Sequence, residues 1–230
     1  MYGLGADALN PEAVARIFAA KRRPRFDPLI VHVSNLSMLE QLVTTVSSGD
    51  RKLIDAFWPG PLTLIFPKRH IVPDLVTAGL PTVAIRCPFH PVALSLIQEA
   101  GTPIAAPSAN TFGYVSPTTA HHVAEGLGHE VDLVLDAGPS SIGVESTIVS
   151  LIGPRPALLR PGGVPIDRVE AVLGMRVDTP PAHSPLLSPG RLARHYAPRT
   201  SVTLLSSPSE CPPISASERV GLLTVTPPPN

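Results

Sequence analysis

The sequence predicts an α/β domain built on a twisted, open, mixed sheet with helices, and three observations carry that prediction. Short runs of aliphatic and β-branched residues, Leu29–Val33, Leu62–Phe66, Thr82–Arg86 and Ala157–Arg160, have the length and composition of buried strands. Segments with helical apolar spacing separate some of these runs, whereas others follow one another directly, so parallel and antiparallel neighbours should share one sheet. Prolines, 29 of the 230 residues, stand at the ends of the runs and stiffen the loops between them.

The totals narrow the function classes. At 43% hydrophobic and 16% charged the chain can bury a sizeable core. No apolar run approaches the ~20 residues of a membrane span, and the first residues lack a signal-peptide layout. Only Cys87 and Cys211 occur, without metal-like spacing, so a zinc site and a disulfide framework are not expected. A cytoplasmic protein with no membrane partner is the expectation. Zero formal net charge argues against a surface devoted to nucleic acid.

In chain order, Met1–Asp7 reads as a Gly-rich turn with no strand before it, as if something upstream were missing. Asn10-Pro11-Glu12 starts a helix to about Ala20, with Val14, Ile17 and Phe18 as its apolar stripe. Ser37–Glu40 has capping-box spacing for a second helix carrying Leu39, Leu42, Val43 and Val46, and Asp50 is the expected cap of a third that ends near Trp58. Pro91 begins another helix, and Pro103–Ala106 is a strand. Ser116-Pro117-Thr118-Thr119 starts a helix to about Leu127, Val131–Leu135 and Glu145–Val149 are strands, and Val164–Leu173 is a last helix beginning at Pro165. The expected organisation is a domain over residues 1–174, a Pro/Ser/Arg-rich linker over 175–200, and over 201–230 the start of a second domain cut short. Strands are expected there at Ser201–Leu205 and Arg219–Thr226.

Chemistry concentrates around Lys21–Val33. Four of the five residues Lys21-Arg22-Arg23-Pro24-Arg25 are cationic, and Pro24 and Pro28 hold them in a stiff loop that runs into a core strand. A preorganised cationic loop loses less entropy on gripping an anion, although a solvated loop has the same composition. Arg86 and Arg160 each close an apolar strand, where an arginine must reach water or meet an anion. Ser108 and Asn110 lie just past a strand end, where short polar groups serve either a ligand or a turn. His32 within its apolar strand reads as a hydrogen-bonded core histidine. Lys21, Arg23, Arg86 and Arg160, with Ser108, Asn110, Ser146 and Thr147 as neutral donors, describe a cleft for a polyanion such as a nucleotide.

Nine segments in order resemble one family. They are Tyr2–Gly5, Lys21–Pro24, Pro28–His32, Trp58–Thr63, Val83–Arg86, Ala106–Asn110, Glu145–Ile148, Leu159–Gly162, and Ser188–Gly190 with His195–Pro198. The family is that of the YrdC-like threonylcarbamoyl-adenylate synthases, in their longer two-domain form. The resemblance implies a deep cationic cavity, a linker folding back over it, and formation of threonylcarbamoyl-adenylate and diphosphate from L-threonine, bicarbonate and ATP. That product feeds a downstream tRNA threonylcarbamoyl-transfer machinery, without stable tRNA binding by the chain itself. It further implies that Lys21, Arg23, Ser108 and Asn110 are catalytic, and that ATP is held by Lys21, Arg23, Asp27, Thr82, Ser108, Ser116, Arg160 and Tyr196. Threonine would meet His32, Arg86, Ala106 and Ser146, and Mg²⁺ would accompany the phosphates without a protein cage.

Two departures from the family pattern stand out. The Pro-Thr-Glu-Thr segment that precedes Tyr2 in the family is absent, which leads to the expectation of an impaired enzyme. Asp27 stands where the family commonly has asparagine, so its carboxylate either repels phosphate or is neutralised by Arg25 beside it. A non-catalytic RNA- or nucleotide-binding module is the alternative reading, disfavoured by the 4% aromatic content, which offers few stacking platforms.

Overall fold

The computed structural model describes residues 1–180, 197–198, 200–207, 210, 220–221 and 223. It divides into two units, Met1–Ala197 and Pro198–Asn230.

The first unit holds strands β1 (Ala6–Asp7), β2 (Ile30–His32), β3 (Leu62–Pro67), β4 (Thr82–Arg86), β5 (Ile104–Ala105), β6 (Thr147–Ser150) and β7 (Ala157–Arg160). Its helices are α1 (Pro11–Lys21), α2 (Leu36–Leu42), α3 (Ser48–Phe57), α4 (Asp74–Thr77), α5 (Pro91–Ala100), α6 (Ala120–Leu127) and α7 (Ile166–Leu173). The strands form one open mixed sheet in the order β1-β5-β2-β4-β3-β6-β7, with β2–β4 and β3–β6 parallel and the remaining pairs antiparallel.

The main core lies on one face of this sheet. Val14, Ile17 and Phe18 of α1, Leu39 and Leu42 of α2, Leu53 and Ile54 of α3 and Val169 of α7 pack there against Val31, Leu62, Leu64, Phe66, Val83, Ile85 and Val149. The opposite face carries only a smaller apolar group of Ile30, Ile65, Ala84, Ile148 and Leu159.

Several expectations from sequence are corrected. Residues 2–8 are not a free turn: they run antiparallel to 103–109, with Leu4 N donating to Pro107 O at 2.8 Å and Ala109 N to Tyr2 O at 2.9 Å. A Cβ on Gly5 would meet Ile104 Cγ2 at 3.0 Å, so glycine there serves the close approach of the two paired segments. Helix α2 is capped by Asn35, whose Oδ1 accepts from Met38 N at 2.9 Å, and it ends at Leu42, leaving Val43 extended and Val46 beyond the helix. The cap of α3 is Ser47, and Asp50 supplies the reciprocal half of its capping box. Within the expected start Ser116–Thr119, Thr119 is the cap of α6.

Residues 131–135 form no strand. Val131 and Val134 dock onto the cluster around Val123 and Leu127, while Leu133 and Leu135 are exposed, a three-residue spacing that an alternating strand does not produce. In the second unit, residues 201–205 are irregular where a strand is expected, and Val202 and Leu204 stand exposed. The expected strand at 219–226 lies largely outside the described residues. So do Ser188–Arg191, Arg194, His195 and Tyr196.

Candidate active site

Strand alternation assembles the site. Register pairs His32 with Arg86 and Ile30 with Ala84 across β2–β4, Ile65 with Ala84 across β3–β4, and Thr63 with Ile148 across β3–β6. Because paired residues share a face, His32, Arg86 and Thr63 rise from the same side as the small apolar group. A bulge between the Ile148–Arg160 and Val149–Leu158 pairs brings Arg160 to that side together with Leu159. The site is thus the sheet face that the main core does not use.

At one end of this face lies the basic loop. Helix α1 stops because Arg22 takes a left-handed conformation (φ 51°), which turns the chain so that Lys21 and Arg23 point inward while Arg22 and Arg25 remain exposed. The Lys21 Nζ donates to the carbonyls of Ser108 and Asn110, both at 2.5 Å, which fastens the loop after β5 to the end of α1. Burial, with the nearby Arg23 charge, pulls Lys21 down to about 7, and Asp27 opposes that shift. Arg23 donates to Asp27 O at 3.1 Å and Pro28 O at 2.8 Å, and its guanidinium stands 5.6 Å from the Phe112 ring centroid.

Asp27 ion-pairs with Arg23 at 2.9 Å in a nearly dry setting, not with the exposed Arg25. Its Oδ2 nevertheless lacks an aligned hydrogen bond. Burial pushes its carboxyl up, against the pull of Arg23, Arg160 and Lys21. Register sets the residues entering β2 alongside Thr82 of β4.

The other end gathers Arg86, His32 and Ser146. Arg86 Nε donates to Gly60 O at 2.8 Å, and burial together with the Arg160 charge brings Arg86 down to about 10. The turn that presents Gly60 requires glycine, because a Cβ there would stand 2.1 Å from Phe57 O. His32 is held neutral, its pKa lowered to about 3 by burial and by Arg86, with a buried Nδ1 that has no hydrogen-bond partner. Ser146 is buried, and its carbonyl accepts from Arg160 Nε at 3.1 Å and Nη2 at 3.0 Å. Gly162 lets the following turn close over this strand, since a Cβ would lie 2.4 Å from Glu145 O.

Two residues assigned to ATP from the sequence stand near this second end. Arg160 bonds Ser146, and the Ser116 hydroxyl donates to Glu145 Oε1 at 2.6 Å, next to Ser146. Ala106 lies between the ends, its N–H donating to Ile30 O at 3.0 Å. Sequence reasoning did not single out Thr63, Glu145 or Phe112; for Thr63 the available signal was a lone polar residue within the run Leu62–Phe66.

Thr82 and Arg86 sit on the same face of β4, about 13 Å apart for four residues of extended chain. The face therefore offers a cationic end, a second end with two arginines, a serine and a neutral histidine, and an apolar floor between them. These features define an α/β domain with an open mixed sheet and cationic groups at both ends of one sheet face.

The chain belongs to the Sua5_yciO_yrdC family, described as "Telomere recombination", whose sequence model matches residues 1–162. It is 46% identical to the threonylcarbamoyl-AMP synthase of Pyrococcus abyssi over 220 residues, 91% of this chain and 63% of that protein. It is also 46% identical to the threonylcarbamoyl-AMP synthase of Bacillus subtilis over 234 residues, 97% of this chain and 68% of that one. Among solved structures, P. abyssi Sua5 complexed with L-threonine superposes with a TM-score of 0.83 at 47% identity, covering 85% of this chain and 59% of that one. The chain thus spans less than two thirds of the P. abyssi relative's length.

Proposed function

We propose that this chain is the catalytic part of a threonylcarbamoyl-AMP synthase, a transferase that makes threonylcarbamoyl-AMP and diphosphate from L-threonine, bicarbonate and ATP. The observation that carries the reading is the distribution of charge over one sheet face, with Lys21 and Arg23 at one end and Arg86, Arg160 and Ser146 at the other. The relatives named for this activity, one of them solved with L-threonine, support it.

The reaction condenses the threonine amino group with bicarbonate, losing water, to give a carbamate. A carbamate oxygen then attacks the α-phosphorus of ATP, the bond from that phosphorus to the bridging oxygen breaks, and diphosphate leaves. Two anions must meet, so fixed cations have to offset their repulsion in a site that limits water. Lys21 and Arg23 would bind the phosphates, with Ser108 and Asn110 shaping the loop beside them and Asp27 and Thr82 lining the same end. Arg86, His32, Ser146 and Ala106 would receive threonine. Arg160 and Ser116, beside Ser146, would meet the α-phosphate where it reaches the threonine end. Neutral His32 suits this role, because it offers a hydrogen-bonding ring beside Arg86 without adding a second buried cation.

Mg²⁺ would enter with the triphosphate, held by phosphate oxygens and water. Among the described residues no group of three or more His, Cys, Asp or Glu side chains stands ready to hold it. Bound there, it would neutralise phosphate charge. Among the described residues no helix is long and apolar enough to cross a membrane. A cytoplasmic location and delivery of the product to tRNA-modifying machinery complete the proposal.

The test is diphosphate release with each substrate omitted in turn. Release that needs threonine, bicarbonate and ATP together supports the reading; release indifferent to threonine, or none alongside salt-sensitive RNA binding, overturns it.

A further inference from the structure

The Thr63 hydroxyl lies 2.7 Å from the Ser146 hydroxyl, and both side chains are buried. Arg160 Nη2 also donates to Ser146 Oγ, at 3.0 Å. Geometry alone permits either hydroxyl to donate to the other, but the count of protons and lone pairs does not treat the two choices equally.

If Ser146 gave its proton to Thr63, the Thr63 proton would need an acceptor of its own. Among the described residues Ser146 Oγ is the one hydrogen-bond partner of Thr63 Oγ1, and the side chain is fully buried. That arrangement strands a donor in a dry interior. If Thr63 donates instead, Ser146 Oγ accepts from both Thr63 and Arg160 and its lone pairs are used. The Ser146 proton then points away from both, and because Ser146 is itself 2% exposed on the sheet face that carries Ile148, that proton gains its acceptor from a ligand seated against it.

We propose that Thr63 is a positioning residue that, together with Arg160, makes the Ser146 hydroxyl an outward-facing donor to the anionic end of the amino-acid substrate. The inference rests on the reading of the Ser146 end as the amino-acid pocket. It explains why a single threonine interrupts the apolar strand Leu62–Phe66: its hydroxyl has one partner, and that partner lines the site. Valine has a similar shape but no hydroxyl, so Ser146 Oγ would lose the donor that, with Arg160, holds it in place and aligns its proton.

Calorimetric titration of L-threonine and of ATP into the unaltered protein, Thr63→Val and Thr63→Ser tests this. Thr63→Val should weaken threonine about tenfold, the scale of a charge-assisted hydrogen bond, and leave ATP within about twofold. Thr63→Ser keeps the donor and should bind threonine within about twofold of the unaltered protein. If Thr63→Val does not fold, Thr63→Ala carries the same expectations. Unchanged threonine affinity in Thr63→Val overturns the inference, as does a proportional loss of both ligands or a Thr63→Ser as weak as Thr63→Val. Failure of the unaltered protein to bind threonine would overturn the amino-acid reading of the pocket itself, which is a different result from a Thr63 that does not matter.

Discussion

Lys21 and Asn110 stand 89 positions apart, yet the Lys21 ammonium donates to the backbone carbonyl of Asn110 at 2.5 Å and faces its side-chain carbonyl at 3.4 Å. Ser108 O is the third acceptor, so the three protons of the ammonium are all directed. Asn110 Nδ2 in turn donates to Tyr114 O at 2.8 Å. Lys21 therefore joins the end of α1 to the loop after β5, and under the proposed function it would act on a phosphate through its charge and through the loop it shapes.

Replacing Lys21 by methionine keeps the apolar stem and removes every donor. Each carbonyl left without a partner should cost about 1–3 kcal/mol of stability. Denaturant unfolding measures this, and an unchanged midpoint with unchanged slope would show that the carbonyls find other donors.

The same lysine makes the protein sensitive to pH. Its pKa falls from 10.5 to about 7 on folding, chiefly through burial, so between those values the unfolded chain holds more protons than the folded one. Stability from this group therefore rises with pH across that window, and the penalty is fully present below about pH 7. ATP should have the opposite preference, because phosphate favours the protonated amine. Calorimetry at pH 8 in two buffers of different ionisation enthalpy should detect proton uptake on ATP binding, absent in Lys21→Met. Equal heats in both buffers would contradict this.

Asp27 draws part of the Arg23 charge to itself. Asp27→Asn removes the carboxylate and keeps the backbone acceptors that Arg23 uses, Asp27 O and Pro28 O. The free protein should lose stability as a buried charge is left less compensated, while ATP binds more tightly, by about 1 kcal/mol for relief of like-charge repulsion. Thermal melts with and without ATP separate the two effects. A variant that is weaker for ATP would mean that Asp27 contacts the nucleotide favourably.

How far the sequence reached depends on whether a feature is local. Lys21 and Arg23 were legible because a helix end, two prolines and alternating cations lie within eight residues, and Thr82–Arg86 because aliphatic runs of that length make strands. Helix caps were misplaced where several capping residues compete, by two residues at Asn35 against Ser37 and by three at Ser47 against Asp50. The false strand at 131–135 had the right composition, but its Val131 and Val134 are taken up by the cluster around Val123 and Leu127. The link from Lys21 to residues 108–110 and the Thr63–Ser146 pair were not legible, since each joins residues more than eighty positions apart and depends on register.

The central claim is that one sheet face binds two ligands at separate ends. Arg23→Ala and Arg86→Ala, each titrated with ATP and with L-threonine by calorimetry, test it most directly. Arg23→Ala should weaken ATP by about 1.5–3 kcal/mol, the worth of a charge-assisted hydrogen bond, and leave threonine nearly unchanged, while Arg86→Ala should do the reverse. Both variants losing the same ligand, or each losing both ligands equally in a folded protein, would contradict the account.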